Sequence, residues 1–186
     1  LILALTAEEE TMGEKGMRAM LAHFAEQNIK IDMAIVGEPT AMQAAVGERG
    51  LVVLDGVAMG KSGHAARNEG DNALYKAIED IALLRDYHFE RKSSVLGDIK
   101  LSVTQIAAGR QHNIVPDSCN FVVDVRTTDA YTNEQTVELL QGVVHHSTLT
   151  PRSTRVRASA IAESHPLVRA AVAVGRECFI SPTTSD

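Results

Sequence analysis

Between residues 46 and 160 the spacing of apolar side chains switches between a two-residue and a 3.6-residue period. The order is strand, helix, strand, strand, helix, strand. Residues 46–59 carry a long strand signal around Leu51-Val52-Val53-Leu54. Behind Asp71, a capping residue type, Leu74, Ala77, Ile78 and Ile81 share one helix face. Ile99, Leu101 and Val103 alternate as in a half-buried strand, and Phe121, Val123 and Val125 do the same after the turn signal Val115-Pro116-Asp117. Thr132 with Gln135 forms a capping-box pattern ahead of a helix bearing Val137, Leu140 and Val144. A short strand is expected near 154–160. This order of elements is that of a ferredoxin-like split βαβ domain of the α+β class, expected over residues 41–151.

The flanks read differently. Residues 1–7 are apolar and short, with acidic residues directly behind them, which predicts a buried parallel strand. Thr11 with Glu14 repeats the capping-box pattern, and Met17, Met20, Leu21 and Phe24 line one helix face. Residues 31–36 then predict a second strand, so that 1–36 reads as a parallel βαβ unit. From Ser164 a last helix runs through Leu167, Val168, Ala171 and Val172, with Pro166 in its first turn. The expectation is a partial α/β host domain, residues 1–40 and 152–186, interrupted by the complete ferredoxin-like domain. The strand-like opening on Leu1 agrees with a fragment of a larger protein.

Eighteen Lys and Arg against twenty-four Asp and Glu leave a formal charge of −6 without any basic run, which argues against nucleic acid and anionic membrane as partners. No apolar stretch approaches the roughly 18–20 residues of a bilayer span. Cys119 and Cys178 lie far apart with no CxxC spacing, so a disulfide framework is not expected and a reducing cytoplasm is the simpler setting. Both cysteines are expected as small core residues.

Ligand sites in open α/β sheets form beyond the carboxyl ends of the strands. Both host strands end in carboxylates: Glu8-Glu9-Glu10 after the first, and Glu38, between Gly37 and Pro39, after the second. Two readings stand for these groups. They are solvated charges near helix starts, or they crowd at one sheet edge where a divalent cation relieves their repulsion. His64, in Gly63-His64-Ala65-Ala66, is an incidental loop histidine or a ring held at a surface with something packed close to its small neighbours. The loop Gly109–Asp117, with Asn113, is a connector or part of a site. Arg126 alternates with Asp124 on the face opposite Val123 and Val125, either a solvated charge or a fork for a carboxylate. His112, His145 and His146 read as incidental, the last two as helix residues pointing to different sides.

Taken in order, Leu5-Thr6-Ala7-Glu8-Glu9-Glu10, Val36-Gly37-Glu38-Pro39-Thr40, Gly63-His64-Ala65-Ala66 with Gly70 and Asn72, Asn113-Ile114-Val115-Pro116-Asp117, Asp124-Val125-Arg126 and Thr184-Ser185-Asp186 cover essentially the whole chain. Together they resemble the zinc-dependent amidohydrolase and peptidase family of acetylornithine deacetylase, succinyl-diaminopimelate desuccinylase, aminoacylase and glutamate carboxypeptidase, most closely the first. Glu8 stands where that family more often has Asp. The resemblance implies an α/β catalytic domain with an inserted ferredoxin-like dimerisation and lid domain. It also implies a two-zinc hydrolase (cobalt or manganese as substitutes) acting on an N-acyl amino acid, and a homodimer formed through the inserted domain. By position, Glu9 resembles the general base, and Glu10 and Glu38 resemble metal ligands. His64 and Asn113 resemble lid groups that stabilise the oxyanion, the histidine acting in the partner's site. Arg126 resembles the residue that grips the substrate's carboxylate. The family's remaining ligands would fall outside Leu1–Asp186, so this chain alone is expected to be inactive and to bind zinc weakly. Desuccinylase, dipeptidase or carboxypeptidase activity, and a non-catalytic dimerisation module, are the competing readings.

Overall fold

The computed structural model describes residues 1–8 and 13–181. Described residues up to Met42 form one compact unit and those from Gln43 onward another. The first unit holds a single helix, α1 (Met17–Glu26), capped at Gly16 without a side-chain hydrogen bond and with no fully buried residue. Thr11 lies outside the described residues, as do Glu9 and Glu10. The expected βαβ unit does not form. Residues 1–7 and 31–36 have no strand structure, and their apolar side chains are exposed, Leu3 at 83% and Ile35 at 84%. A parallel strand is stable only when neighbouring strands complete its ladder and its faces are covered. Among the described residues neither segment has a strand partner.

The second unit runs β1 (Ala44–Glu48), β2 (Gly50–Met59), β3 (Gly63–His64), α2 (Ala73–Asp86), β4 (Lys100–Ala108), β5 (Ile114–Val115), β6 (Ser118–Thr127), α3 (Asn133–Val143), β7 (Ser147–Pro151), β8 (Ser159–Ala160), α4 (Pro166–Ala173) and β9 (Cys178–Ser181). Four strands form one antiparallel sheet in the order β4-β6-β2-β7. With α2 after the first of them and α3 after the third, this is the ferredoxin-like arrangement. Every second residue of β2 and β6 is buried. Val52, Leu54, Ala58, Phe121, Val123 and Val125 meet Ala73, Ala77 and Leu84 of α2 and Val137 and Leu140 of α3 in one core. Each large side chain so withdrawn from water contributes about 1.5–3 kcal/mol. The alternate residues Leu51, Val53, Asp55 and Val57 of β2, and Asn120, Val122, Asp124 and Arg126 of β6, share the sheet's other face.

Three expectations are corrected here. Helix α2 is capped by Asn72, whose Oδ1 accepts from Leu74 N at 3.0 Å, and not by Asp71. Asp71 instead pairs with Lys76 and bridges to Lys61. The last strand of the large sheet is 147–151, not 154–160. Residues Thr154 and Val156 are drawn out of any ladder because their carbonyls accept from Asn133 Nδ2 at 2.9 and 2.8 Å. Asn133 itself is buried and accepts from the Thr127 hydroxyl at 2.7 Å. His145 and His146 follow the end of α3 rather than lying within it. There their backbone N–H groups donate to the fully buried Asp80 carboxylate, at 2.7 Å from His145 and 3.0 Å from His146. By contrast the Thr132–Gln135 capping box forms in full.

The flanking residues build a small mixed sheet, β8-β1-β9, in which β1 runs parallel to β9 and antiparallel to β8. Helix α4 begins with Pro166 in its first turn, its cap being His165 rather than Ser164. Cys119 is buried in the core, where burial pushes its thiol pKa up, whereas Cys178 is exposed and not a core residue. Both are free. Among the described residues no helix is long and apolar enough to cross a membrane.

Candidate functional site

His64 and Asn113, distant in sequence, are neighbours in space. The two-residue strands β3 and β5 pair antiparallel with His64 opposite Ile114. Ala65 N donates to the Asn113 carbonyl at 3.0 Å. The strand pair is fastened below by Gly60 N donating to Asp117 O at 2.8 Å and Ala73 N donating to Pro116 O at 3.1 Å. The glycines here serve close backbone approach. A Cβ at Gly63 would stand 2.8 Å from Gly70 N, and one at Gly70 would stand 3.0 Å from Val115 Cβ. Any larger residue at Gly63 therefore pushes the segments apart.

His64 is exposed, with Nδ1 accepting from Ala66 N at 3.2 Å. That contact occupies the ring's acceptor nitrogen and leaves Nε2–H as the ring's donor in the neutral imidazole. Ala65 and Ala66 are also exposed. Asn113 is half-buried at the base of the same tip.

Arg126 occupies the other end of the large sheet. It lies near the last residue of β6, opposite Leu51 on β2 and Lys100 on β4. Nε donates to Asp124 Oδ1 at 2.7 Å and Nη2 to Asp124 Oδ2 at 3.1 Å. The Asp124–Val125–Arg126 spacing was the available signal for this pair, since residues two apart on a strand share a face. From Ser118, where β6 leaves the histidine tip, to Arg126 the strand spans roughly 26 Å at about 3.3 Å per residue. The strand thus separates the Arg126 position from the foot of the histidine tip. Between them the open sheet face holds a shallow depression of about 330 Å³ bordered by Asp55, Val57, Gln105, Asn120 and Val122. At its rim Arg152 Nη2 meets Asp55 Oδ1 at 2.7 Å, and this hydrogen bond holds the Asp55 carboxyl below its usual pKa.

Of the candidate carboxylates, Glu9 and Glu10 lie outside the described residues. Glu38 is exposed in an irregular segment, its carbonyl accepting from Thr40 N at 2.8 Å. Glu8 takes a φ of 60°, the left-handed region that non-glycine residues seldom adopt, and its Oε2 accepts from Lys15 N at 3.1 Å. A closed zinc site takes about four donors. Among the described residues no group of three or more His, Cys, Asp or Glu stands close enough to hold a metal. The described residues therefore do not by themselves make a metal centre.

Asp80 escaped the sequence reading, because one acid among apolar helix positions looks like any solvated charge. Burial raises its pKa, but hydrogen bonds from the residues that lead into β7, the N–H groups of His145 and His146 among them, outweigh burial and hold it below the ordinary value.

Residues 46–149 match the family model described as the peptidase dimerisation domain. Among curated proteins, the chain is 32% identical over 139 residues to a succinyl-diaminopimelate desuccinylase of Wolbachia pipientis, covering 71% of this chain and 34% of that protein. It is 31% identical over 140 residues to the protein of the same name in Paracoccus denitrificans, covering 72% and 37%. The chain thus spans a little over a third of the length of these relatives. Among solved structures it superposes on the aminopeptidase PepT of Bacillus cereus with a TM-score of 0.72 at 20% identity, covering 97% of this chain and 50% of that one. A tripeptidase of Staphylococcus aureus gives 0.71 at 18% identity, with the same coverage. At these identities the likeness is one of fold.

Proposed function

This chain belongs to the peptidase dimerisation domain family, and from that premise we propose that the protein carrying it is a metal-dependent hydrolase of N-acyl amino acids. In this reading residues 41–151 are the dimerisation and lid domain, with 1–40 and 152–186 parts of the catalytic domain. The family match over residues 46–149 falls inside the span proposed for the dimerisation and lid domain. The desuccinylase relatives favour a succinyl group over the acetyl group of acetylornithine, which remains the competing substrate.

The observation that carries the proposal is the tip that brings His64 next to Asn113, with His64 opposite Ile114 and Ala65 N donating to the Asn113 carbonyl. The His64 side chain is exposed there, as expected of a group that completes a neighbouring copy's site. In the composite site of a homodimer, Arg126 from one copy holds the substrate's carboxylate in a two-point fork, a geometry Lys cannot copy. Water adds to the amide carbonyl, and Glu9 accepts its proton. His64 Nε2–H from the other copy, with Asn113 beside it, donates to the oxygen that gains charge. Glu9 then passes its proton to the departing nitrogen as the C–N bond breaks, giving a carboxylic acid and a free amino acid. Glu10 and Glu38 are the carboxylates assigned to the metal, zinc in this family, which when bound supplies Lewis-acid polarisation.

The test is an assay of the protein carrying this chain, with zinc supplied, against N-succinyl, N-acetyl and dipeptide substrates, alone and as Glu9→Gln. Turnover of an N-acyl amino acid that Glu9→Gln abolishes without loss of the dimer is the expected result. Turnover of dipeptides alone would move the assignment to a peptidase. No turnover of any substrate would leave a non-catalytic dimerisation module.

A further inference from the structure

We propose that Asp124 is the positioning residue for the carboxylate contact, an inference that rests on the reading of Arg126 as the group that grips the substrate. A guanidinium has two edges that can each take a carboxylate in two parallel hydrogen bonds. The Asp124 carboxylate occupies the edge made of Nε and Nη2. The edge made of Nη1 and the second Nη2 hydrogen is left, in a fixed direction, for an incoming anion.

The two side chains stand on the helix-free face of the sheet and are partly shielded, Arg126 at 35% and Asp124 at 28% exposure. A free arginine side chain loses rotamer entropy on binding, much of which a held one has already given up before ligand arrives.

The surroundings give Asp124 a second task. Across the strand pair Arg126 faces Lys100, and like charges directly opposite one another repel. On its other side it faces the apolar Leu51. Asp124 is the acid that draws the guanidinium back along its own strand and away from the ammonium. The three side chains together carry one excess positive charge, which a single carboxylate neutralises. Asp124 thus selects for a monoanionic group at this position without touching it.

The experiment compares Asp124→Asn, Asp124→Ala and Arg126→Lys in the protein carrying this chain. The probes are an N-succinyl amino acid with a free α-carboxylate and the same compound as its α-carboxamide. Both Asp124 variants are expected to raise KM for the free acid about tenfold, the size of one charge-assisted hydrogen bond. kcat and the carboxamide KM stay near their wild-type values. The Arg126 Nε–H resonance, observable in the wild type because Asp124 accepts from it, is lost to solvent exchange in both. If Arg126→Lys raises the acid's KM while both Asp124 variants keep the wild-type value, the role of Asp124 is refuted and that of Arg126 stands. Should Arg126→Lys leave KM unchanged, the reading of Arg126 fails and this inference fails with it. An equal rise of KM for acid and carboxamide would mark a structural effect and also refute it.

Discussion

Replacing Asp80 tests the most heavily buried charge in the fold. Its side chain has no solvent exposure and ties the start of β7 to the middle of α2, through bonds of 2.7 Å from His145 N and 3.0 Å from His146 N. Asp80→Ala leaves the His145 and His146 N–H groups without their acceptor, at about 1–3 kcal/mol each, so the loss is about 4 kcal/mol. That is a large part of the roughly 5–15 kcal/mol that holds a domain together. Asp80→Asn keeps the shape and one acceptor oxygen, and costs about 1–2 kcal/mol. In urea, with a slope of about 2 kcal/mol per molar, the midpoint falls by about 2 M for Ala and by under 1 M for Asn. The acid limb carries the second half of the prediction. The folded pKa of Asp80 lies below its unfolded value of about 3.9, so the unfolded chain binds more protons across that window. The contribution is complete above the unfolded pKa and disappears as pH falls through the folded one. Asp80→Asn therefore narrows the stability gap to wild type as pH drops from 5 towards 2. Equal urea midpoints for wild type and Asp80→Asn at pH 7, with superimposable acid limbs, would refute the reasoning.

The other predictions concern the site. Gly63→Val sets a side chain against the Gly70 backbone, 2.8 Å from its first carbon. It should spread the β3–β5 pair, speed hydrogen exchange at Ala65 N–H and reduce turnover, while the main core is destabilised by no more than about 1–3 kcal/mol. Mixing a Glu9→Ala copy with a His64→Ala copy should restore one intact composite site per heterodimer and recover activity that neither variant has alone; no recovery after subunit exchange would remove His64 from the partner's site. Calorimetric titration of this chain with zinc should show only weak binding, because Glu10 and Glu38 offer two carboxylates where a closed site takes about four donors. Two tight sites would overturn that expectation.

The inserted domain was legible in the sequence because its signals are local. Alternation at Phe121, Val123 and Val125 and the Thr132–Gln135 box report on the residues' own strand face or helix turn, and the structure repeats them. The family was legible for a similar reason: short motifs keep their order and spacing along the chain. What failed depended on partners elsewhere. Residues 1–7 and 31–36 have strand composition, but a parallel ladder is made between segments, and apolar content alone cannot supply the neighbour. The strand expected near 154–160 forms only at Ser159–Ala160, in the small sheet, while the Asn133 amide takes the carbonyls of Thr154 and Val156 from over twenty residues away.

Within the ferredoxin-like domain, local sequence patterns were enough to place Phe121, Val123, Val125, Val137 and Leu140 in the core and to name the polar groups available for chemistry. Tertiary structure alone decided which of those groups meet. It set His64 beside Asn113 through a two-residue strand pair too short to leave a periodic trace, and put Arg126 on a different sheet, near the end of β6. It also buried Asp80 under the turn that His145 and His146 begin. The physical reason is the same in each case. Periodicity encodes direction relative to a residue's own backbone, whereas the distance between two side chains is set by the register and packing of separate elements.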